Sequence, residues 1–327
     1  MKRNGFMTAV MLLITLAVTG RTEDKFKAGG KPIMRIFSNF HSTFTDSESA
    51  SAFEINRVYL GYAYNFSPNF SALATIDMAN PGTGGLEMDA YIKNAYLSYR
   101  YEKLTAGFGL IGTTQFKTQE DFWGYRYIEK SFQDLAGFGS SADLGLSVSY
   151  RFSDALSADV IVMNGEGYKK LEADSTLRTG IGLSLTPTGK LTGRVYYDFS
   201  SKDETLSTLA LFAGYATERF SLGGEFNKQW NNKFLKDHDL QGYSFYTTFK
   251  ASDRIRLFAR YDRLESGRTD GTSEDWNISK DGDRYLAGME YSPLKGLKFS
   301  PNFRGWNPAL GGEPFSASFY LNCEIKL

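Results

Sequence analysis

The chain has 327 residues and carries 37 basic and 37 acidic side chains, so its formal net charge is zero. A zero net charge argues against a general nucleic-acid binder, which would show a marked basic excess. The single cysteine, Cys323, excludes an internal disulfide and a cysteine metal cluster. The 20 tyrosines, 26 phenylalanines and 33 glycines favour a structure of strands and tight turns.

The N-terminal segment has the pattern of an export signal. Two basic residues precede an apolar run at 6–18, and small residues follow it. This order is typical of a secretory signal peptide, and the run is too short to span a membrane comfortably as an anchor. We therefore expect residues 1–20 to be cleaved, residues 21–30 to form a short N-terminal segment, and residues 31–327 to form the mature fold.

From Lys31 onward, most of the chain alternates between apolar and polar residues with a period of two, which predicts β-strands with one apolar face. We count about 16 strands of about 9–13 residues each, which is the range of bacterial outer-membrane barrels. In chain order, the alternating residues that identify these strands span 34–41, 57–66, 70–78, 94–101, 104–114, 144–152, 156–162, 179–185, 191–199, 209–215, 220–226, 243–249, 255–261, 285–291, 297–303 and 315–327.

Short turns and longer loops are predicted to alternate along the chain without exception. Ser67-Pro68-Asn69 is a typical short turn, whereas the segments 45–51, 80–88 and 264–281 are longer loops. This sorting predicts an all-β, transmembrane antiparallel β-barrel with short periplasmic turns and longer external loops. A soluble β-sandwich has little reason to sort its loops in this way, and a propeller would need a repeat of about 40–50 residues, which is absent from the sequence.

The longest segment without strand alternation is residues 115–140, the third external loop. It is rich in aromatic and charged residues. Loops longer than about 12–15 residues are uncommon in compact domains unless they have a function. We expect this loop to fold into the lumen and to narrow it.

Two further patterns support a barrel in a membrane. The last strand alternates apolar Phe319, Leu321, Cys323, Ile325 and Leu327 with polar residues. Aromatic residues cluster at the turn-side ends of the strands, as in the girdle that lies at the lipid headgroups. Members of this aromatic set are Tyr64, Phe66, Phe70, Tyr99, Tyr101, Tyr150, Phe152, Tyr215, Phe220, Phe249 and Tyr291.

With these features, and with the motif EDFWGYRY at 120–127 in the third loop, the chain resembles Gram-negative outer-membrane porins, most of all the phosphate-selective porin O/P type. The resemblance covers the mature chain, although this chain ends in Leu327 where such barrels usually end in an aromatic residue. It implies a homotrimer in outer-membrane lipid, a third loop that forms the constriction, and passive diffusion of small ions and hydrophilic solutes.

If the apolar faces point to lipid, the opposite side chains line the pore, because Arg or Lys at the lipid midplane costs about 2–4 kcal/mol. Rings of such basic residues favour anions. Neighbouring acids such as Asp262 and Glu290 leave open the alternative of a salt-bridged wall without selectivity. The predicted pore-lining and constriction residues are Arg57, Arg100, Arg178, Arg194, Arg256, Arg260, Arg284 and Arg304 on strands, and Glu120, Asp121, Trp123, Arg126 and Lys130 on the loop.

The enzyme alternative is an outer-membrane barrel hydrolase of protease or phospholipase type. Such an enzyme needs a nucleophile or an activated water beside a histidine and an acid. His41 is close in sequence to Ser42 and Asp46, and His238 lies between two aspartates. The GxGxxG match at 107–112 lies inside a strand pattern, so it predicts no dinucleotide site. We expect a non-enzymatic protein without metal, cofactor or nucleic-acid partner.

Overall fold

The computed structural model describes residues 26–46, 48–82, 85–268 and 272–327. Sixteen strands pair antiparallel with their neighbours in the chain, and the sheet closes because β1 pairs with β16. This confirms the predicted fold class, a closed antiparallel β-barrel of 16 strands. The predicted signal peptide lies outside the described residues.

The strands in chain order are β1 Gly29–Phe44, β2 Ser49–Asn65, β3 Phe70–Ala79, β4 Asp89–Tyr101, β5 Leu104–Gly112, β6 Ala142–Arg151, β7 Leu156–Met163, β8 Arg178–Leu185, β9 Leu191–Ser201, β10 Thr205–Ala216, β11 Phe220–Trp230, β12 Leu240–Lys250, β13 Ile255–Ser266, β14 Gly282–Leu294, β15 Leu297–Pro308 and β16 Ser316–Lys326. Because β1 begins at Gly29, the end of the predicted N-terminal segment 21–30 belongs to the barrel.

The distribution of apolar and polar side chains between the two faces of the sheet is the reverse of that in a soluble protein. Large apolar side chains such as Leu60, Leu97 and Leu257 are exposed on the outer face, whereas polar side chains such as Asp77 and Asn227 are buried on the inner face. Successive residues of a strand point to opposite faces, so the sequence alternation becomes an apolar exterior around a polar lumen. Among the described residues, no helix is long and apolar enough to cross a membrane.

The barrel has two rims. The rim that carries the connections 66–69, 102–103, 152–155, 186–190, 217–219, 251–254 and 295–296 is called the turn rim, and the opposite rim is called the loop rim. Several connections of the turn rim share one chemistry, in which a serine or threonine hydroxyl accepts backbone N–H groups two or three residues later. The accepting residues are Ser67, Ser153, Thr188, Thr217 and Ser252.

Two connections of the loop rim are as short as turns, although long loops were predicted throughout this rim. The predicted loop 45–51 is shorter, because pairing continues to Phe44 and Ser49 and the N–H of Thr45 donates to the carbonyl of Glu48 at 3.0 Å. The connection 202–204, between β9 and β10, is also as short as a turn. The alternation of short and long connections was therefore predicted too strictly.

The predicted third loop occupies residues 113–141 and is called the long loop. It contains two short helices, α1 Lys117–Trp123 and α2 Phe132–Ala136. Each helix ends at a glycine in the left-handed conformation, Gly124 with φ 74° and Gly137 with φ 80°. A glycine adopts this conformation without the penalty of a Cβ atom, so the two glycines define where the helices stop.

Candidate functional site: the long loop and the lumen

The long loop lies against the inner wall of the barrel. Its aromatic side chains are buried, and Trp123 is only 2% exposed. Trp123 packs edge-on against Tyr246 and Phe258 of the wall, with ring centroids 5.6 and 6.0 Å apart, and Tyr125 lies 4.6 Å from Phe258. This aromatic cluster fills the lumen between the loop and strands β10 to β14, and it reaches β1 through Phe37.

A pair of glycines on the wall makes room for α1. Gly214 of β10 and Gly223 of β11 face each other in the sheet, and the ring of Phe122 lies over both. A Cβ atom at Gly214 would lie 2.5 Å from that ring, and one at Gly223 would lie 3.1 Å from it. Since a carbon contact below about 3.4 Å is repulsive, side chains at these positions would push the loop away from the wall.

Four wall arginines hold the backbone of the long loop. Their guanidinium groups donate to loop carbonyls, and each arginine also forms an ion pair with a carboxylate. The carbonyl contacts are Arg178 to Phe138 at 3.4 Å, Arg194 to Thr114 at 2.7 Å, Arg260 to Lys130 at 2.6 Å and Arg304 to Ile128 at 2.8 Å. The ion pairs are with Asp198 at 2.9 Å, Asp159 at 2.7 Å, Asp262 at 2.6 Å and Glu129 at 3.1 Å.

These contacts give the four arginines a structural task that the sequence analysis did not foresee. Their N–H groups donate to carbonyls and carboxylates, so the positive charge of each guanidinium is largely neutralised by its neighbours. The predicted pore-lining arginines of β13 to β15 are also divided in space. Arg260, Arg284 and Arg304 line one cavity behind the loop, whereas Arg256 is exposed nearer the turn rim.

The other predicted site residues of the wall lie at different heights in the barrel. Arg57 forms an ion pair with Asp77 at 2.7 Å. Arg100 is exposed at the turn rim end of β4. The guanidinium of Arg284 lies over the ring of Trp306, 4.0 Å from its centroid.

On the loop, the predicted residues are partly paired with one another. Arg126 lies 3.8 Å from both Glu120 and Asp134, and Lys130 lies 3.4 Å from Asp134. Asp121 pairs with a lysine one turn earlier and is exposed. Trp123 is buried between loop and wall, so it supports the position of the loop and has little surface toward solvent.

A large cavity, called the vestibule, opens between the long loop and the loop rim. Its volume is about 860 Å³, and ten basic and three acidic residues line it. The basic residues are Arg57, Lys93, Arg126, Lys130, Lys169, Lys170, Arg178, Lys202, Lys233 and Lys280, and the acidic residues are Asp134, Glu166 and Asp174. Among the described residues, five of the lysines have no carboxylate within 4.0 Å: Lys93, Lys169, Lys170, Lys233 and Lys280.

Sequence analysis missed Lys93 because of a β-bulge. Strand alternation from Ala95 would place Lys93 on the lipid face. In the structure Asn94 pairs with Thr75 and Ile92 with the next residue of β3, so Lys93 is an extra residue. Its ammonium group lies 4.5 Å from the ring of Tyr168 and lines the vestibule.

Loop 164–177 adds Tyr168 and Lys169 to the same region. The hydroxyl of Tyr168 donates to Asp77 at 2.6 Å, which ties this loop to the ion pair of Arg57. Burial and the negative charge of Asp77 raise the pKa of Tyr168, so its hydroxyl stays protonated and remains a donor. The ammonium group of Lys169 lies 4.4 Å from the ring of Tyr91. Aromatic faces stabilise these cations without neutralising them.

The same loop carries an acidic trio, Glu166, Glu172 and Asp174, whose oxygens lie within 4.8 Å of one another. Glu172 accepts backbone N–H groups of Asp174 and Ser175 at 3.0 and 2.6 Å, so loop geometry accounts for the closeness of these acids. Burial raises the pKa of Glu166.

The two histidines lie in different parts of the barrel. The ring of His41 stacks on Tyr320 in the lumen and contacts Asn39 at 3.0 Å, and its Nδ1 lies 3.6 Å from a carboxylate oxygen of Glu54. Ser42 points to the opposite face of the strand, where its hydroxyl bonds to Ser51 at 2.7 Å. At the loop rim, His238 stacks on Trp276 with ring centroids 4.8 Å apart.

No family model matches the chain, and no curated protein matches it. Solved structures with the same fold are outer-membrane porins and channels. The outer membrane channel DcaP of Acinetobacter baumannii matches with a TM-score of 0.68 at 10% identity, over 94% of this chain and 99% of that one. OprB of Pseudomonas putida matches with a TM-score of 0.69 at 10% identity, over 91% and 94%. An anion-selective porin from Comamonas acidovorans matches with a TM-score of 0.68 at 10% identity, over 92% and 100%. These likenesses define the class of fold as the porin-type barrel.

Proposed function

We propose that the protein is an outer-membrane porin that lets small ions and hydrophilic solutes diffuse passively, with a preference for anions. The support for diffusion is a closed barrel with an apolar exterior, a polar lumen and a loop that narrows the lumen without an energised domain in the described residues. The constriction would lie between the long loop, at Arg126, and the wall, at Arg57 and Lys93.

The charge of the vestibule carries the proposed anion preference. Its five unpaired lysines lie in one concave surface with low-dielectric walls, and such a surface concentrates anions at the entrance. The wall arginines contribute less than the sequence suggested, because carboxylates pair with them. The printed description of the Comamonas protein as anion-selective agrees with this proposal, although at 10% identity it is a fold likeness only.

The reversal potential of the purified protein in a planar bilayer under a KCl gradient tests the preference. We expect a sign that reports higher permeability to chloride than to potassium. The triple variant K93Q/K169Q/K280Q should move the reversal potential toward zero or toward cation preference. The matched control K103Q/K190Q/K295Q removes three exposed lysines of the turn rim and should leave the reversal potential nearly unchanged.

Absence of ion conductance from a correctly folded barrel would overturn the porin proposal. Cation selectivity of the unmodified protein would overturn only the anion preference. Phosphate as the preferred solute follows from the resemblance to phosphate-selective porins, and inhibition of the chloride current by added phosphate tests it. A homotrimer in outer-membrane lipid belongs to the same proposal, and the mass of the complex in mild detergent, together with fractionation of cell envelopes, tests that part.

A further inference from the structure

A second cavity lies behind the long loop, between Leu135 of the loop and strands β13 to β16, and is called the rear cavity. Its volume is about 230 Å³. On its turn-rim side Leu286 belongs to the buried aromatic cluster, so the rear cavity is blind in that direction. On its other side a small cavity that shares Leu135 and Arg284 reaches Lys280, which also lines the vestibule. The rear cavity thus adjoins this small cavity of about 70 Å³, which in turn adjoins the vestibule at Lys280.

The rear cavity contains one arginine with free donors. Of its three arginines, Arg260 is bound to Asp262 through two hydrogen bonds, and Arg304 is bound to Glu129. The guanidinium of Arg284 has no hydrogen bond or ion pair with any of the described residues, and it lies over the ring of Trp306.

Stacking fixes the plane of the Arg284 guanidinium and leaves the N–H groups at its edge available. A guanidinium oriented in this way presents two parallel donors to an oxyanion. The cavity lining carries one more basic than acidic residue, and the difference corresponds to Arg284. The site thus lacks one negative charge.

We propose that the rear cavity binds a small organic carboxylate, with its carboxylate on Arg284 and its apolar part against Leu135 and Leu286. A monocarboxylate is satisfied by one guanidinium fork, whereas a phosphate dianion needs several further donors. The other donor-bearing side chains that line the cavity are those of Tyr285, Trp306, Ser316, Ser318 and Tyr320, and Ser318 already bonds to Thr43 at 2.8 Å. The apolar side chains of Leu135 and Leu286 favour a ligand with a hydrocarbon part over a fully hydrated ion. This site is separate from the vestibule and from the proposed constriction.

Binding of 4-fluorobenzoate to the full protein in detergent, followed by ¹⁹F NMR line broadening, tests the proposal without any need for ion conductance. We expect saturable binding, with competition by propionate stronger than competition by inorganic phosphate. The variant Arg284→Met should weaken binding by about tenfold or more, because it removes the guanidinium donors that no described residue occupies. Arg284→Lys keeps the charge without the fork and should bind with intermediate affinity. The control Arg254→Met, an exposed arginine of the turn rim, should bind like the unmodified protein.

Equal binding by the unmodified protein and Arg284→Met would overturn the site, as would absence of saturable binding in the unmodified protein. Stronger competition by phosphate than by propionate would overturn the carboxylate class. In single-channel recordings, saturating 4-fluorobenzoate should leave the chloride current open. A block of the current that Arg284→Met relieves would place the ligand in the permeation path and overturn the separate location.

Discussion

Replacement of Arg260 by methionine tests the idea that wall arginines hold the long loop. Arg260 is 5% exposed, donates to both oxygens of Asp262 at 2.7 and 2.6 Å, and donates to the carbonyl of Lys130 at 2.6 Å. Methionine has a similar length but no donor. The change leaves Asp262, which is 3% exposed, as an uncompensated charge and leaves the Lys130 carbonyl without its partner.

Removal of one partner of a buried ion pair costs about 3–5 kcal/mol. The free energy of unfolding in urea, with detergent present, should therefore fall by about 3–5 kcal/mol. The double variant R260M/D262N removes both charges and should recover most of this loss.

Hydrogen exchange separates the charge effect from the attachment of the loop. Amides of the long loop should exchange faster in R260M and also in R260M/D262N, because both lack the donor to Lys130. The control Arg254→Met, an exposed arginine of the turn that precedes the same strand, should change the free energy of unfolding by no more than about 0.5 kcal/mol and should leave the exchange rate of the loop amides unchanged. If R260M unfolds like the control and its loop exchanges at the normal rate, the attachment idea is wrong.

Two further substitutions address the packing of the loop. Gly214→Val should displace Phe122, loosen α1 and change the single-channel conductance. The control Gly193→Ala should leave the conductance unchanged, because its Cβ atom would meet nothing nearer than 3.9 Å. Equal conductance in both variants would contradict the idea that the glycine pair makes room for the loop. Phe37→Ala should lower the free energy of unfolding in urea by about 3–5 kcal/mol, because Phe37 is 1% exposed within the aromatic cluster. Phe53→Ala, at an outward position that is 85% exposed, should cost clearly less, and the reverse order would show that the cluster contributes little.

Much of the barrel wall could be predicted from the sequence, because alternation with a period of two fixes which side chains of each strand face lipid and which face the lumen. The apolar series Val58, Leu60 and Tyr62 and the polar series between them assign lipid and lumen faces without knowledge of the partner strand. Pairing of consecutive strands followed from the short turns, whose serine and threonine residues cap the chain reversal.

Positions that depend on an irregularity or on a distant partner could not be predicted. Lys93 changes face because one extra residue enters β4, and nothing in the local pattern marks this bulge. The sequence shows that Arg260 and Asp262 lie two residues apart on the same face of a strand. The hydrogen bond from Arg260 to the carbonyl of Lys130, however, depends on the position of the long loop. The close contact between Gly214 and Phe122 likewise depends on the position of α1 against the wall.

The position of Tyr127 has a consequence for the order of assembly. Its ring packs 6.3 Å from Phe37 of the first strand, its hydroxyl donates to Glu290 of β14 at 3.1 Å, and its carbonyl accepts from Asn322 of the last strand at 3.4 Å. Tyr127, a mid-chain residue, thus contacts both β1 and β16, the two strands whose pairing closes the barrel. All three contacts exist together only when the first and last strands lie side by side, because they join segments that are far apart along the polypeptide. A barrel that failed to close would therefore lose part of the attachment of its long loop.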